Sequence, residues 1–306
     1  GLGTLHWELG RLAEATEHYT AALAHNRTAG LVAGEAASLN NLGMVHRQLG
    51  QLDTAISCYR QALARHETGG SRVGAGNALA NLGVVYRLLG RLTEAVTHLE
   101  AGLAVHREYG SRAGEAQILA DLAEVHRLRG RPAEALELLA DALHTQREID
   151  NNSGAAATLY LLALAHRDLG AREAALAHAR ESVALAGQNR RCAALAATVM
   201  AGINGSLDEH TNALELARTA GSAEAETDAL LGLAETTLRV TGPADATEPA
   251  RAALALARRT GHRVLESRAL GVLAAIELAR ADATAAGEYA EAALAIHQDI
   301  MFGQPD

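Results

Sequence analysis

"NLGVVYRLLGRLTEA" occupies residues 81–95. Forty residues earlier the chain reads "NLGMVHRQLGQLDTA" (41–55), and forty later it reads "DLAEVHRLRGRPAEA" (121–135). Apolar residues in and around these segments recur at helical spacing. Leu39, Leu42, Val45 and Leu49 form one stripe, and Ile56, Tyr59 and Leu63 form another. A glycine closes the first helix of each unit at Gly10, Gly50, Gly90, Gly130 and Gly170, spaced by 40. The series continues at Gly205, Gly242 and Ala281, with intervals of 35, 37 and 39. Each interval therefore holds two antiparallel helices. One such hairpin cannot bury its own apolar face but a stack can, so the repeat predicts an all-α solenoid of about eight helix pairs.

Composition agrees. The chain has 306 residues, 49% of them hydrophobic but only 3% aromatic, which suits helices packed closely through small side chains. All 27 basic residues are arginine. Without lysine there is no Walker-type phosphate loop and no Schiff base. A formal charge of −9 argues against a nucleic-acid-binding surface over the whole chain. Cys58 and Cys192 are too few for a disulfide framework. No apolar run is long enough for a membrane span, and no signal peptide opens the chain, so a cytoplasmic protein is expected.

Position-specific residues select the type of solenoid. The second unit carries Leu39, Leu42, Gly43, His46, Ala55, Tyr59 and Ala62. The next carries Leu79, Leu82, Gly83, Tyr86, Ala95, Leu99 and Gly102, and the third such set is Leu119, Leu122, Ala123, His126, Ala135, Leu139 and Ala142. This pattern resembles the tetratricopeptide repeat, in a form longer than that repeat's usual length. HEAT and armadillo repeats share the length but not the pattern. The resemblance implies a right-handed α-α superhelix. It covers nearly the whole chain as one array, regular over 1–186 and divergent over 187–300, with a short tail at 301–306. His210 stands where a small alanine is expected, and Pro243 and Pro249 alter the seventh unit, which leaves the curvature there open. The chain starts at Gly1 inside a unit and reads as a fragment of something longer.

Chemical motifs are few. "GGSRVGAG" at 69–76 lacks the preceding strand and the following Lys-Ser/Thr of a phosphate loop, and reads as an inter-repeat turn, as do "GSRAG" and "NNSG". His6, His46, His126 and His166 recur at equivalent positions, where packed helices hold them roughly 10 Å apart, too far to share an ion. They read as semi-buried rings in place of the repeat's tyrosine. No nucleophile–base–orienter set is present, so no enzyme, metal or cofactor is expected.

The first helices carry a more telling series. Arg47, Arg87, Arg127 and Arg167 lie about 100° from the leucine stripe, on one shoulder of the inner face. Asn41, Asn81 and Asp121 lie on the other shoulder. Met44, Val84, Leu88, Leu128 and Leu164 run between them, mixed with Asn77, Gln117 and Glu124. In tetratricopeptide arrays this face lines the concave groove. An apolar floor edged by arginine and amide side chains suits an acidic or amphipathic segment. Pairing of the arginines with Glu115, Asp121 or Glu124 is the competing use, and the two are compatible. The Arg-only, Ala-rich units resemble the C-terminal repeat domains of actinobacterial regulators of the SARP/AfsR group. That resemblance implies a sensor that binds a ligand or partner and restrains an N-terminal effector region. A docking scaffold of the LGN/Pins type and a peptide-pheromone receptor are the alternatives.

Overall fold

The computed structural model describes residues 1–8, 10–187 and 189–302. Sixteen helices lie within them: α1 Leu2–Glu8, α2 Leu12–Thr28, α3 Val32–Gln48, α4 Leu52–Thr68, α5 Arg72–Leu88, α6 Leu92–Glu108, α7 Arg112–Leu128, α8 Pro132–Glu148, α9 Asn152–Asp168, α10 Arg172–Ala186, α11 Arg190–Asn204, α12 Leu207–Thr219, α13 Ala223–Val240, α14 Pro243–Arg259, α15 Arg263–Ala279 and α16 Ala283–Phe302. No strand occurs among the described residues. Of the tail expected at 301–306, Met301 and Phe302 end α16 and residues 303–306 lie outside the described set.

The helices stop where the backbone turns left-handed. Gly50 takes φ +76°, and the Gln51 N–H reaches back to the His46 carbonyl at 2.8 Å. This six-to-one closure satisfies an otherwise orphan carbonyl at the helix end. Equivalent bonds run from Arg91 to Tyr86, from Ser111 to His106 and from Ala171 to His166. The inter-repeat turns behave alike, with φ +71° at Gly70 and +66° at Gly110, while Asp150 and Ala281 adopt the same conformation without being glycine.

Consecutive helices pack as antiparallel pairs, and the odd-numbered helices also touch one another in series from α3 to α15. They form the inner layer of the superhelix. Small residues at the pair interface set the spacing. A Cβ on Gly43 would come within 2.6 Å of the Tyr59 ring, and one on Gly83 within 2.6 Å of Leu99 Cγ. Ala15, Ala55, Ala95, Ala135 and Ala175 are completely buried at the equivalent position of the second helices. The main core cluster runs from Leu52 to Ala165, and a second runs from Leu214 to Ile296; Ile300 packs against both.

The divergent units keep the two-helix plan. His210 is fully buried, and the missing side chain of Gly232 makes the room, since a Cβ there would lie 2.5 Å from the His210 ring. Pro243 opens α14 in its first turn, where the absent N–H costs nothing. Pro249 sits inside α14, which continues past it to Arg259.

Candidate functional site

The inner layer brings most of the residues singled out by the repeat spacing onto one wall. Asn81 donates to the Asn40 side chain at 2.9 Å, tying α5 to α3. Arg127 donates from Nε and Nη2 to the two oxygens of Glu124 at 2.8 and 2.9 Å, and from Nη1 to Asp168 of the next unit at 2.6 Å. Arg167 also bonds Asp168, at 3.1 Å. Burial opposes the Arg127 charge, but Glu124 and Asp168 outweigh it and hold the guanidinium firmly protonated. Two of the four arginines thus have hydrogen-bonded carboxylate partners within the protein.

The other two do not. Arg87 is 8% exposed, and its nearest acid, Glu124, stands 3.9 Å away, beyond hydrogen-bond range. Its Nε is buried without a hydrogen-bond partner, and so is the Nε of Arg47. Asp121 lies in the field of both. Burial raises its carboxyl pKa, Arg87 and Arg47 act against that, and its one short contact is from Gln117 Nε2 at 3.3 Å. Glu115 does not join this wall; it pairs with Arg107 at 2.7 Å.

The apolar floor differs from the expectation. Val84, Leu88 and Leu164 are buried, not open to a groove, while Met44 and Leu128 remain half-buried and Asn77 and Gln117 exposed. Leu88 belongs to the main core cluster, against which Ile300, near the end of α16, packs. Arg87 is buried as well, so it is not an outlying shoulder residue.

The opposite wall carries a charge series that lies outside the regular repeat register. Arg191 of α11 bonds Glu224 of α13 at 2.6 Å. Arg268 of α15 reaches Asp228 and also Glu235, the latter at 3.0 Å. Against the cost of burial, Arg191 holds the Glu224 carboxyl well below the usual carboxylate range. Glu224 and His262 both lie within electrostatic reach of Arg87, so α5 and the acids of α13 share one interior field. Burial raises the Tyr160 phenol pKa strongly, with Asp228, Glu124 and Glu224 adding to the effect from around this channel. The sequence signal for this second wall is an arginine and an acid about one unit apart, visible only once the shortened repeats are aligned.

Two of the recurrent histidines form ring stacks across their helix pair, whereas His46 Nδ1 meets Gln51 Oε1 at 2.6 Å and His126 Nδ1 meets Glu134 at 2.9 Å. His6 lies on His18 at 5.0 Å between centroids, and His166 on His178 at 5.2 Å, with Tyr86 tilted over His98 at 4.9 Å. No group of three or more histidine, cysteine or carboxylate residues among the described ones could hold a metal ion. No helix among them is long and apolar enough to cross a membrane.

A stacked helical-hairpin solenoid with a polar channel on its concave side defines a superhelical repeat protein. The tetratricopeptide repeat family model matches residues 1–68, 74–148 and 114–188, and the chain belongs to that family. The fold is the right-handed α-α superhelix. Among solved structures, a Rap protein complexed with competence and sporulation factor superposes with a TM-score of 0.74 at 15% identity, over 89% of this chain and 77% of that one. The Rap conjugation gene regulator of plasmid pLS20, in complex with the Phr* peptide, gives 0.66 at 14% identity over 86% and 76%. Aspartyl phosphate phosphatase F from Bacillus subtilis gives 0.60 at 12% identity over 93% and 76%. At these identities the likeness is one of fold. No curated protein sequence matches the chain.

Proposed function

We propose that this chain is a non-catalytic binding module whose concave channel takes a peptide or protein segment bearing acidic side chains. The observation that carries the reading is the difference within one arginine series. Arg127 and Arg167 are hydrogen-bonded to Glu124 and Asp168, whereas Arg47 and Arg87 keep buried Nε donors without a partner. An unsatisfied buried donor is costly, and a carboxylate would relieve it with a charge-assisted bond. Met44 and Leu128, both half-buried, offer apolar contact beside the polar groups. Solved structures of the same fold hold peptides, which supports an extended occupant.

The finer reading is a cytoplasmic sensing module of a SARP/AfsR-like transcriptional regulator, working without a cofactor. In that reading the occupant is either a separate partner or an effector region of the same protein, and occupancy of the channel is the signal. A scaffold that docks a partner without a switch would use the same wall.

Fluorescence anisotropy with short labelled peptides of acidic, neutral-apolar and basic composition tests it. Acidic peptides are expected to bind, with affinity falling as salt rises. Arg47→Gln should weaken them at least tenfold while leaving the melting temperature in place. Equal binding of all three compositions, or indifference to Arg47→Gln, overturns the acidic-segment reading.

A further inference from the structure

The five glycines that close the first helices, from Gly10 to Gly170, share one backbone conformation, with φ between +72° and +77°. Their surroundings divide them. Gly130 and Gly170 face open space, with nothing within 4 Å of an added Cβ. Gly10, Gly50 and Gly90 each meet chain far downstream. A Cβ on Gly50 would lie 2.4 Å from Thr260 Cα, and one on Gly90 2.5 Å from Ile300 Cγ1. A Cβ on Gly221 would lie 3.9 Å from Gly10 Cα, and one on Gly261 3.3 Å from Leu52. The contacts step forward together, 10 to 221, 50 to 260 and 90 to 300. The rim of the first three units therefore lies flat on the rim formed by the turns after α12 and α14 and by the end of α16. At Gly10 and Gly50 the approach reaches backbone atoms, at Gly50 closer than a side chain would allow, while Gly90 and Gly261 receive the side chains of Ile300 and Leu52.

We infer that this rim is a latch that sets the pitch of the superhelix and closes the side of the channel. Shut, it brings the α5 wall with Arg87 opposite Glu224 and His262, and it covers the inner layer around Leu88. Open, it parts successive superhelical turns and lets a segment enter the channel from the side rather than only along its axis. The hold comes from the turns and the end of α16, with Leu52 and Ile300 its apolar side chains, and its parting leaves the pairing within each hairpin in place. The inference concerns the walls alone and stands whatever segment the channel takes.

The native series supplies its own control. Asparagine tolerates the left-handed conformation, so Gly50→Asn/Gly90→Asn places side chains into the rim with little backbone strain. Gly130→Asn/Gly170→Asn makes the same change where there is room. The first pair is expected to lengthen the particle in solution scattering and to speed amide exchange at 260–262 about tenfold. The second pair should leave both unchanged. Indistinguishable scattering and exchange from the two pairs overturn the latch. Independently, Gly10→Cys/Gly221→Cys should form an intramolecular disulfide under mild oxidation, seen as faster migration on a non-reducing gel, because the backbones already stand within bridging range. Failure to cross-link, with Gly10→Cys alone as the reference, also overturns it.

Discussion

Arg127 on α7 donates to Asp168 on α9 at 2.6 Å, although the two are 41 residues apart in the chain. The same guanidinium grips Glu124 through two further bonds, so one side chain stitches consecutive units along the channel wall. Its side chain and that of Glu124 are 14% and 12% exposed. Removing one partner of a largely buried pair leaves an uncompensated charge. Arg127→Met should therefore cost about 3 kcal/mol in urea unfolding. Arg112 bonds Glu148 on the open surface, and Arg112→Ala should cost under about 1 kcal/mol. Equal effects would mean that the channel network has no special weight.

Two glycines should respond with opposite signs. At Gly83 a Cβ meets Leu99 Cγ at 2.6 Å and the Ala95 carbonyl at 3.0 Å, and the carbonyl cannot move aside cheaply. Gly83→Ala is expected to cost about 1–3 kcal/mol through overpacking. Gly271, within α15, has nothing within 4 Å of the added atom. Gly271→Ala should stabilise by about 0.5–1 kcal/mol, because glycine is a poor helix former. Thermal melts of the two variants check both signs.

Gln146 is 1% exposed, and Thr158 of the next helix donates to its side-chain oxygen at 2.7 Å. Gln146→Leu would keep the volume and orphan the threonine hydroxyl, for a loss of about 1–3 kcal/mol. Adding Thr158→Val removes the orphan and should recover part of that loss. A double variant no better than the single one would show that the bond contributes little.

The repeat was legible because its marks are local. Gly50 and Gly90 are required by a left-handed turn, Gly43 and Gly83 by close helix approach, and each can be found by reading one unit at a time. "GGSRVG" was legible as a turn for the same reason, with Gly70 at positive φ, whereas "NNSG" is the N-cap Asn151 and the first residues of α9, the turn itself being at Asp150 just before it. The channel was legible only in outline. The arginine series pointed to the inner wall, but nothing local distinguishes Arg87 from Arg127. That difference arises because Asp168 stands in the unit after Arg127, while the corresponding positions after Arg47 and Arg87 hold Leu88 and Leu128. The burial of Val84 and Leu88 depends on superhelical curvature, which sums small rotations from one unit to the next. The second wall of Arg191, Glu224 and Arg268 stayed hidden because the shortened units break the register. His210 showed only as an exception, since its compensating Gly232 lies in the following unit.

Two buried histidines give the stability a defined response to acid. Burial is the main cause that lowers His210 to about 4, and the same holds for His262. Both ring nitrogens of His210 are buried without a hydrogen-bond partner, and Asp228, Glu209, Arg239 and Arg268 act on the ring only through their charge. His262 caps α15, where its Nδ1 accepts the Leu265 N–H at 3.5 Å, and a proton on that nitrogen would remove the cap and place positive charge at the helix N-terminus. In the unfolded chain each ring titrates near its ordinary value of about 6.5. Because the folded values are depressed, the unfolded state binds more protons below pH 6.5. The stability they contribute is complete above that pH and falls as the pH drops toward 4, by about 3 kcal/mol for each ring. Glu224 titrates well below the usual carboxylate range, so its pairing with Arg191 survives through this window. Urea midpoints measured at pH 7.5, 5.5 and 4.5 should decline steadily. His262→Asn keeps a side-chain cap without a titrating group and should remove part of that decline, the rest belonging to His210 and to His66, His106 and His178, which burial also depresses. A flat midpoint between pH 7.5 and 4.5, or a decline unchanged in His262→Asn, would show that these rings are not what acid acts on.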